Sequence, residues 1–366
     1  MNNKIKLFRG DFLKLLTAGS ATAVGGVILS EYAPWLDYEE QVTKTWAVQN
    51  SSLPLMTLVH YATLAANGHN TQPWKFAIKD NAIEIHPDYS RHLPVVDPHD
   101  RELWISLGCS LENLLVAARA SGYTTEVTYP DRADFIHVQL AADTPQDSPL
   151  FGAIPFRQNT RSAYDGRLIK NEDLDQLQAL QLEPGVMLQF ATNPTTMGIF
   201  LEYVNLGNLA QYADNAFVDE LIEWLRFNKK EALSSLDGLY SICSGNPQVP
   251  RLIGQIFVAG TKPQQQADSD AAKFRTSPVA FVVASESDDK VSWVRTGQVY
   301  ERLALKMTSL NIKSAFLNQP IEVSTLRGQF QSAIDLGNSL PQLLVRFGYA
   351  EAMPKSLRRP VEQVLI

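Results

Sequence analysis

Two arginines four residues apart, Arg157 and Arg161, are the side chains in this sequence best suited to bind an anion. On a helical turn, residues at this spacing share a face, and Thr160 would lie beside them as a further hydrogen-bond donor. The alternative interpretation is a solvated basic face next to acidic neighbours. Further cations, Lys355 and Arg358, stand in a Pro-rich segment near the end of the chain, which by itself is typical of a basic tail.

A cluster of amide side chains stands in the turn that follows a predicted helix. The turn reads Ala65-Ala66-Asn67-Gly68-His69-Asn70-Thr71-Gln72-Pro73-Trp74. A helix C-cap and a turn account for Gly68 and Pro73. They do not account for Asn67, Asn70 and Gln72 beside a tryptophan, and such amides suit the donor and acceptor edge of a flat heterocycle.

The composition narrows the class of protein. Of the 366 residues 45% are hydrophobic and 19% charged, which supplies a packed core and excludes a disordered chain. The 32 Lys and Arg against 39 Asp and Glu give a net charge of −7, so we expect no general binding to nucleic acid. The spacing of the six histidines and two cysteines matches no familiar metal-ligand pattern, so we expect no metal site.

An internal repeat organises the chain. Three residues recur 189 positions later, where Trp104, Gly108 and Glu112 return as Trp293, Gly297 and Glu301. Each triplet lies in an amphipathic helix that ends at a residue suited to a left-handed cap, Gly122 in the first copy and Asn311 in the second. Two Leu-rich helices could also resemble each other by chance. With the short strand-like segments around both helices, the pattern predicts an α+β fold of two tandem halves, each a mixed β-sheet flanked by helices.

The predicted domain boundaries follow from the repeat. We assign residues 1–45 to a leader, 46–145 to the first half and 150–366 to the second half, with a Pro-rich acidic link between the halves. Residues 205–270, here called the insertion, have no counterpart in the first half. An insertion of this length predicts either a lid over a site or an accessory helical layer.

The leader has the outline of an export signal, since basic residues precede an uncharged run from Leu15 to Leu29. The stretch from Phe8 to Lys14 resembles a twin-arginine signal in which Gly10 replaces the second arginine. We therefore expect a periplasmic or membrane-associated protein, with a cytoplasmic one as the alternative because of Gly10. The uncharged run would span roughly 22 Å as a helix, short of a ~30 Å hydrocarbon core, so no stable transmembrane span is expected.

Several of these segments together resemble one family. They are Asn70-Thr71-Gln72-Pro73-Trp74, the arginine segment that ends in Tyr164-Asp165, the Gly-x3-Glu helix and Pro354-Lys355-Ser356-Leu357-Arg358-Arg359-Pro360. The combination resembles the FMN-dependent nitroreductases, and the duplication resembles their single-chain, Acg-type branch. The resemblance extends over roughly residues 50 to 365 and implies two nitroreductase-like halves that form an intramolecular pseudo-dimer.

The resemblance implies one FMN between the halves, with phosphate-binding cations from the second half and the amide loop from the first. The cofactor-binding residues that it predicts are Arg157, Thr160, Arg161, Asn318, Gln319, Lys355 and Arg358 from the second half, and Asn67, Gly68, His69, Asn70 and Gln72 from the first. Arg157 and Arg358 are assigned to the phosphate and Arg161 to the flavin ring. The turn at Asn318 and Gln319 is assigned a backbone N–H toward the ring. The opposite pseudo-site lacks these motifs, so the chain is expected to act as a monomer.

The function that the resemblance implies is ping-pong hydride transfer from NAD(P)H to a flat, electron-poor acceptor such as a nitroaromatic or a quinone. The flavin performs this chemistry, so no catalytic side chain is required. One alternative is a protein that binds or sequesters FMN beneath a closed lid with little turnover. Another is a structural relative that binds no flavin.

Overall fold

The computed structural model describes residues 37–47, 54–130 and 133–366. The basic and uncharged parts of the predicted leader lie outside the described residues. The α-helices of the described chain are α1 (Tyr38–Trp46), α2 (Pro54–Thr63), α3 (Arg101–Ala120), α4 (Pro149–Ala153), α5 (Asn171–Gln178), α6 (Pro194–Gln211), α7 (Asn215–Trp224), α8 (Lys229–Ser235), α9 (Arg251–Ala259), α10 (Pro263–Phe274), α11 (Lys290–Ser309), α12 (Gln319–Glu322) and α13 (Ser324–Ala333). The strands are β1 (Trp74–Lys79), β2 (Ala82–Pro87), β3 (Tyr123–Thr128), β4 (Ile136–Ala142), β5 (Val186–Ala191), β6 (Leu225–Arg226), β7 (Leu239–Tyr240), β8 (Val279–Ser285), β9 (Lys313–Phe316) and β10 (Leu340–Gly348).

Two four-stranded sheets form the centres of the two halves. Their strand orders are β1-β2-β4-β3 and β5-β8-β10-β9. The long helices α3 and α11 follow β2 and β8, respectively, and precede β3 and β9. The two topologies are therefore the same, which confirms the α+β class and the duplicated layout. The sequence pattern missed β5, because its residues are mostly half-buried and show no clear alternation of apolar and polar positions.

The strand pairs within both sheets are antiparallel, whereas the sequence predicted mixed sheets. In the first half, α3 connects β2 to β3, which lie two positions apart in the sheet. Strand β4 lies between them and runs antiparallel to both, and β10 lies in the same way between β8 and β9. Hydrophobic periodicity gives no information on this choice, because strand direction depends on how the connections pass over the sheet.

Helices α3 and α11 cross at the repeated glycines. A Cβ atom on Gly108 would lie 2.0 Å from the carbonyl oxygen of Val294, and a Cβ atom on Gly297 would lie 2.0 Å from that of Ile105. Val294 follows Ile105 by the same 189 positions that separate the glycines. The sequence repeat therefore corresponds to a pseudo-twofold axis in the structure. At this axis the backbones of α3 and α11 are in direct contact.

The last residues of the second half cross to the first sheet. The Phe76 N–H in β1 donates to the Val364 carbonyl oxygen at 2.7 Å, and the Ile366 N–H donates to the Phe76 carbonyl oxygen at 2.9 Å. This crossing brings the basic segment that contains Arg358 against the turn after α2. Cations of one half thus reach the amide loop of the other.

Helix α1 begins within the segment that the sequence assigned to the leader and ends at Trp46, the first residue assigned to the first half. The Tyr38 hydroxyl donates to the Lys355 carbonyl oxygen at 2.8 Å, and the Trp46 indole N–H donates to that of Ser356 at 2.9 Å. Both side chains are buried. The folded part of the chain therefore includes residues before position 46, and α1 packs on the carboxyl-terminal segment.

The insertion lies between β5 and β8, which residues 192–278 connect, whereas their counterparts β1 and β2 are joined by a two-residue turn, residues 80–81. Residues 217–232 of the insertion do not form one helix, because α7 ends at Trp224 and α8 begins only after Asn228. Asn228 has an extended backbone, and its side chain accepts a hydrogen bond from the Glu231 N–H, so it caps a new helix. In the described residues, no helix combines the length and the apolar character that a membrane crossing needs.

Candidate functional site

A cleft lies where the two halves and the insertion meet. It encloses about 610 Å³ of non-protein space, including the part open to solvent. Its lining is Trp46, Ala66, Asn67, Asn70, Arg157, Gln158, Asn159, Arg161, Gly238, Leu239, Tyr240, Cys243, Ser244, Pro354, Ser356 and Arg358. The structure therefore brings together five of the predicted residues, Asn67, Asn70, Arg157, Arg161 and Arg358.

The first wall of the cleft is the amide loop after α2. His69, Asn70 and Gln72 all have left-handed backbones, with φ of 47°, 56° and 54°. This conformation is unfavourable for residues other than glycine, although Asn tolerates it best. Hydrogen bonds hold it in place, because the Asn67 side-chain oxygen accepts from the Gln72 N–H at 2.9 Å and the Gly68 N–H donates to the Ser106 hydroxyl at 3.3 Å.

Asn70 connects this loop to the other two walls. Its side-chain oxygen accepts from Arg358 Nη1 at 2.7 Å, and its amide donates to the Gly238 carbonyl oxygen at 3.1 Å. The Gly238 N–H in turn donates to the Asn70 carbonyl oxygen at 3.1 Å. One buried amide thus fixes the relative positions of the first half, the carboxyl-terminal segment and the insertion.

The second wall is the arginine segment, which is extended and not helical. A 3₁₀ turn ends at Phe156, and Arg157 has ψ of 132°. The predicted helical turn is therefore wrong. In this extended segment Arg157, Gln158, Asn159 and Arg161 all line the cleft. Sequence reasoning did not assign Gln158 or Asn159 to the site, because the helical spacing of four singled out the two arginines.

Arg157 lies in a buried network that joins both halves. Its Nε is 2.9 Å from Glu301 Oε1, and its Nη2 donates to the Leu64 carbonyl oxygen at 3.0 Å. The other Glu301 oxygen accepts from the Ala66 N–H at 3.2 Å. The repeated glutamate of α11 therefore holds both the arginine and the start of the amide loop.

Arg157 is balanced by the carboxylate of Glu301, whereas the charges of Arg161 and Arg358 are not balanced by a carboxylate among the described residues. Arg161 donates to the Ser244 hydroxyl at 3.1 Å, and the acceptors of Arg358 are an amide, a hydroxyl and backbone carbonyl oxygens, including that of Thr63. Within the described chain, neither guanidinium forms a salt bridge with a carboxylate. Burial, followed by the charge of Arg157, lowers the pKa of Arg358 to about 9, and burial also lowers the pKa of Arg161. Partly desolvated cations without carboxylate partners on one cleft have the chemistry that an anion site requires.

His69 is neutral at physiological pH. Burial, with a smaller effect from the nearby Arg161 charge, lowers its pKa to about 4. The side chain lies outside the cleft lining. It therefore adds no positive charge to the anion site, and the contribution of this residue to the site is its left-handed backbone.

Lys355 does not line the cleft, although the sequence predicted that it contacts the cofactor. Its ammonium group donates to the Pro155 carbonyl oxygen and lies 4.6 Å from the centre of the Trp46 ring. Burial, followed by the charges of Arg157 and Arg358, lowers its pKa to about 8. The lysine thus packs behind the cleft wall and fixes Trp46, which does line the cleft.

Gln72 and Thr160 are fully buried behind the lining. The Gln72 side chain donates to the Leu236 carbonyl oxygen at 2.9 Å and accepts from the Arg359 N–H at 2.7 Å, so neither end is free for a ligand. The Gln72 side chain therefore positions the loop. It does not line the cleft, where the sequence predicted that it contacts the cofactor. The Thr160 hydroxyl is buried and has no partner among the described residues.

The turn at Asn318 and Gln319 lies at the amino terminus of α12, outside the cleft lining. The Asn318 side chain accepts from the Leu344 N–H at 3.0 Å and donates to Glu102 at 3.2 Å. The Gln319 amide donates to Asn208 and Asp270 in the insertion, at 3.3 Å to each. Both side chains are thus used within the protein, and the predicted backbone role stays a prediction.

The insertion supplies the third wall with Gly238, Leu239, Tyr240, Cys243 and Ser244. The hypothesis of a closed lid placed Gly238 and Leu239 over the flavin, whereas sequence reasoning did not assign the other three to the site. Asp237 anchors this wall, because its two oxygens lie 2.8 Å from Arg91 Nη1 and 2.6 Å from Arg226 Nη2. No motif marks these residues, and their place depends on contacts between segments far apart in the sequence.

The opposite pseudo-site is arranged differently. Glu112, the counterpart of Glu301, makes two contacts with Arg302, with Nε–Oε1 at 2.7 Å and Nη2–Oε2 at 2.8 Å. Arg302 Nη2 also donates to Glu183 at 2.8 Å. Two carboxylates therefore surround one arginine there, and the excess of positive charge that marks the first cleft is missing from these described residues.

Over most of its length the chain is similar to proteins named as NAD(P)H nitroreductases. It is 25% identical over 334 residues to "Putative NAD(P)H nitroreductase Rv3131" of Mycobacterium tuberculosis. The match covers 87% of this chain and 94% of that protein. It is 24% identical over 328 residues to the nitroreductase relative named acg from the same organism, with 85% and 94% covered. These relatives confirm the resemblance to the Acg-type branch. No protein-family model matches the chain.

Among solved structures, the FMN-dependent nitroreductase NfnB from Mycobacterium smegmatis in complex with NADPH is 12% identical. The match covers 56% of this chain and 88% of NfnB, with a TM-score of 0.37.

Proposed function

We propose that this chain, a relative of the single-chain Acg-type nitroreductases, is an FMN-dependent oxidoreductase that takes reducing equivalents from NAD(P)H. We further propose ping-pong transfer to a flat, electron-poor acceptor such as a nitroaromatic or a quinone. One observation carries the proposal. Arg358 is buried and Arg161 half-buried at the junction of the two halves, both without carboxylate partners among the described residues, beside a loop of amide side chains.

The donor set fits FMN. A phosphate group needs several cationic donors, and Arg157, Arg161 and Arg358 converge on one cleft. The isoalloxazine edge carries both donors and acceptors. Asn67 keeps one N–H and one oxygen lone pair beyond its bonds to Ala65 and Gln72, so it offers both, whereas the side chain of Asn70 is used to hold Arg358 and Gly238. Hydride acceptance and donation are the chemistry that FMN supplies when it is bound.

The residues of the chain would bind and orient the FMN and shield it from solvent. Glu301 fixes the Arg157 guanidinium, and Asn70 fixes that of Arg358. The insertion forms the third wall, and charge interactions are stronger wherever this wall shields the cleft from water. Because hydride transfer needs no proton donor on the protein, the neutral His69 is compatible with this function.

A test of the proposal is anaerobic reduction of the purified protein. We expect a yellow protein with about one FMN per chain, whose visible absorbance is lost within seconds to minutes after NADPH or NADH is added. Absorbance should return when a quinone or nitroaromatic is added. A protein that binds no FMN, or one whose bound FMN is not reduced over an hour, would overturn the oxidoreductase proposal.

A second candidate function, FMN binding with little turnover, is favoured by the way the insertion is fastened. Gly238 exchanges hydrogen bonds with Asn70 in both directions, and Asp237 is paired with Arg91 and Arg226. A wall fastened in this way could keep nicotinamide and acceptor out. The anaerobic experiment separates the candidates, because a sequestering protein would contain FMN that resists NADPH but is reduced by dithionite.

We also propose export to the periplasm or association with the membrane, which the basic and uncharged pattern of residues 1–29 supports. Fractionation of cells that express the full chain tests this. Recovery of the flavoprotein only in the cytosolic fraction would contradict it and would fit the alternative raised by Gly10.

A further inference from the structure

Helix α1 packs on two of the elements that surround the cleft. Its first and last residues, Tyr38 and Trp46, are both buried. Tyr38 packs in an apolar cluster with Tyr240 of the insertion and Leu357 of the carboxyl-terminal segment. The helix therefore holds the insertion and the carboxyl-terminal segment together beside the cleft.

Trp46 is the residue of α1 that lines the cleft. The centre of its ring lies 5.2 Å from the Arg358 guanidinium carbon and 4.6 Å from Lys355 Nζ. The indole N–H donates to the Ser356 carbonyl oxygen at 2.9 Å, and the Ser356 hydroxyl accepts from Arg358 Nη1 at 2.9 Å. Trp46 therefore acts on Arg358 in two ways, through its ring and through Ser356.

An aromatic face suits a cation that must stay available to an anion. The negative face of an indole attracts a guanidinium, and the attraction is stronger where water is excluded. A carboxylate in the same place would neutralise Arg358 and would compete with a phosphate group for its N–H donors. At the opposite pseudo-site, Arg302 has two such carboxylates, Glu112 and Glu183. Trp46 instead stabilises the charge of Arg358 without neutralising it.

We infer that Trp46 is a positioning residue of the proposed FMN site and holds the charged guanidinium of Arg358 toward the phosphate group. This role depends on the proposed binding of FMN. Tyr38 contributes by fastening α1, because its hydroxyl donates to the Lys355 carbonyl oxygen at 2.8 Å. Helix α1 is thus part of the cofactor site, although the sequence assigned all but its last residue to the leader.

The test compares FMN with riboflavin, which has the same ring and ribityl chain but no phosphate group. The full-length protein is freed of flavin by dialysis and titrated with each compound, and the dissociation constants are measured by quenching of flavin fluorescence. We expect the native protein to bind FMN at least tenfold more tightly than riboflavin. Trp46→Leu should bind FMN at least fivefold more weakly and riboflavin with unchanged affinity. A variant that is only less stable would weaken the binding of both compounds equally.

Two further variants separate the aromatic ring from the helix that carries it. Trp46→Phe keeps an aromatic face beside Arg358 and should recover most of the preference for FMN. If Trp46→Phe binds FMN as weakly as Trp46→Leu does, the role of the ring is contradicted. The matched control is Thr43→Ala on the exposed side of α1, which should bind both compounds as the native protein does.

Three results would overturn the inference. Trp46→Leu could keep the native preference for FMN, which would show that Arg358 needs no aromatic contact. The same variant could bind FMN and riboflavin equally more weakly, which would assign Trp46 to the flavin ring or to the fold alone. A native protein that binds neither compound would overturn the proposed function as well, and this result is distinct from the first two.

Discussion

Glu301 and Arg157 form a buried pair, with Arg157 Nε 2.9 Å from Glu301 Oε1, that couples the pseudo-twofold of the fold to the anion cleft. Glu301 belongs to the repeated triplet, and its other oxygen accepts from the Ala66 N–H in the amide loop. The same residue thus defines the internal symmetry and holds one wall of the site.

Replacing this carboxylate should make the fold depend on an anion. In Glu301→Gln, Arg157 loses its buried partner, and we expect the free energy of unfolding to fall by about 3 kcal/mol. Phosphate or FMN should restore more stability to the variant than to the native protein, because either anion supplies the missing charge. The measurement is urea unfolding with and without 20 mM phosphate.

The repeat offers a matched control for this experiment. Glu112→Gln removes the equivalent carboxylate, but its partner Arg302 keeps Glu183 at 2.8 Å. We expect this variant to lose stability without a gain in phosphate dependence. Equal phosphate dependence in both variants would show that Arg157 does not face the anion site.

Arg161→Ala should weaken FMN binding by at least tenfold. The side chain makes one hydrogen bond, to Ser244, so its removal takes a charge from the cleft and disturbs few other contacts. The dissociation constant is measured by quenching of flavin fluorescence at 50 and 300 mM salt, and the native protein should show the steeper salt dependence. Arg275→Ala, which removes an exposed arginine outside the cleft, is the control. Unchanged affinity in Arg161→Ala would contradict the assignment of this residue.

Alanine at the helix crossing should destabilise the fold. A methyl group on Gly108 or Gly297 would meet a carbonyl oxygen at 2.0 Å, so α3 and α11 must separate, and we expect a loss of about 3 kcal/mol or more for each variant. Gly328 in α13 has no neighbour within 4 Å of an added Cβ atom. Gly328→Ala should therefore be neutral or stabilise by up to about 1 kcal/mol. Thermal midpoints of the three variants test the crossing, and similar midpoints in all three would contradict it.

Glu322 should make the protein less stable as the pH rises. Burial, and next the charge of Glu102, raise its pKa from 4.5 to about 8. Between these pH values the folded state holds a proton that the unfolded state has released, so stability falls with rising pH by at most about 1.4 kcal/mol per pH unit and levels off above pH 8. Glu322→Gln should flatten this slope and raise stability at pH 8. Urea unfolding at pH 5, 6.5 and 8 measures it, with the exposed Glu172→Gln as a control that leaves the slope unchanged.

Loosening the third wall should speed the release of FMN. In Asp237→Asn the ion pairs with Arg91 and Arg226 lose their charge, so the wall at Gly238 should open more often. We expect at least a tenfold faster release of FMN on dilution, followed by flavin fluorescence. Asp268→Asn, at an exposed position of α10, is the matched control. If both variants release FMN at the native rate, the insertion does not limit access to the cleft.

The sequence by itself determined the duplication and the chemical types of the site. The 189-residue offset needs only residue identities, and the spacing of apolar residues along α3 and α11 depends on local helix geometry. Gly122 and Asn311 have φ of 84° and 62°, as their positions after the two helices predicted. Arg157, Arg161, Asn67 and Asn70 were found by residue type, because an anion and a heterocycle edge each require particular donors, whereas Arg358 was assigned from the family resemblance.

Only the tertiary structure decided how these residues meet. Arg157 and Arg161 share the cleft through an extended chain and not a helical turn, since residues around Asn159 bridge to Ser314 in the second sheet. The uncompensated charge of Arg358 depends on burial by segments nearly 300 residues away in sequence, such as the turn after α2. Pairing of distant segments and removal of water are set by packing of the whole chain, and local sequence patterns contain no information on either.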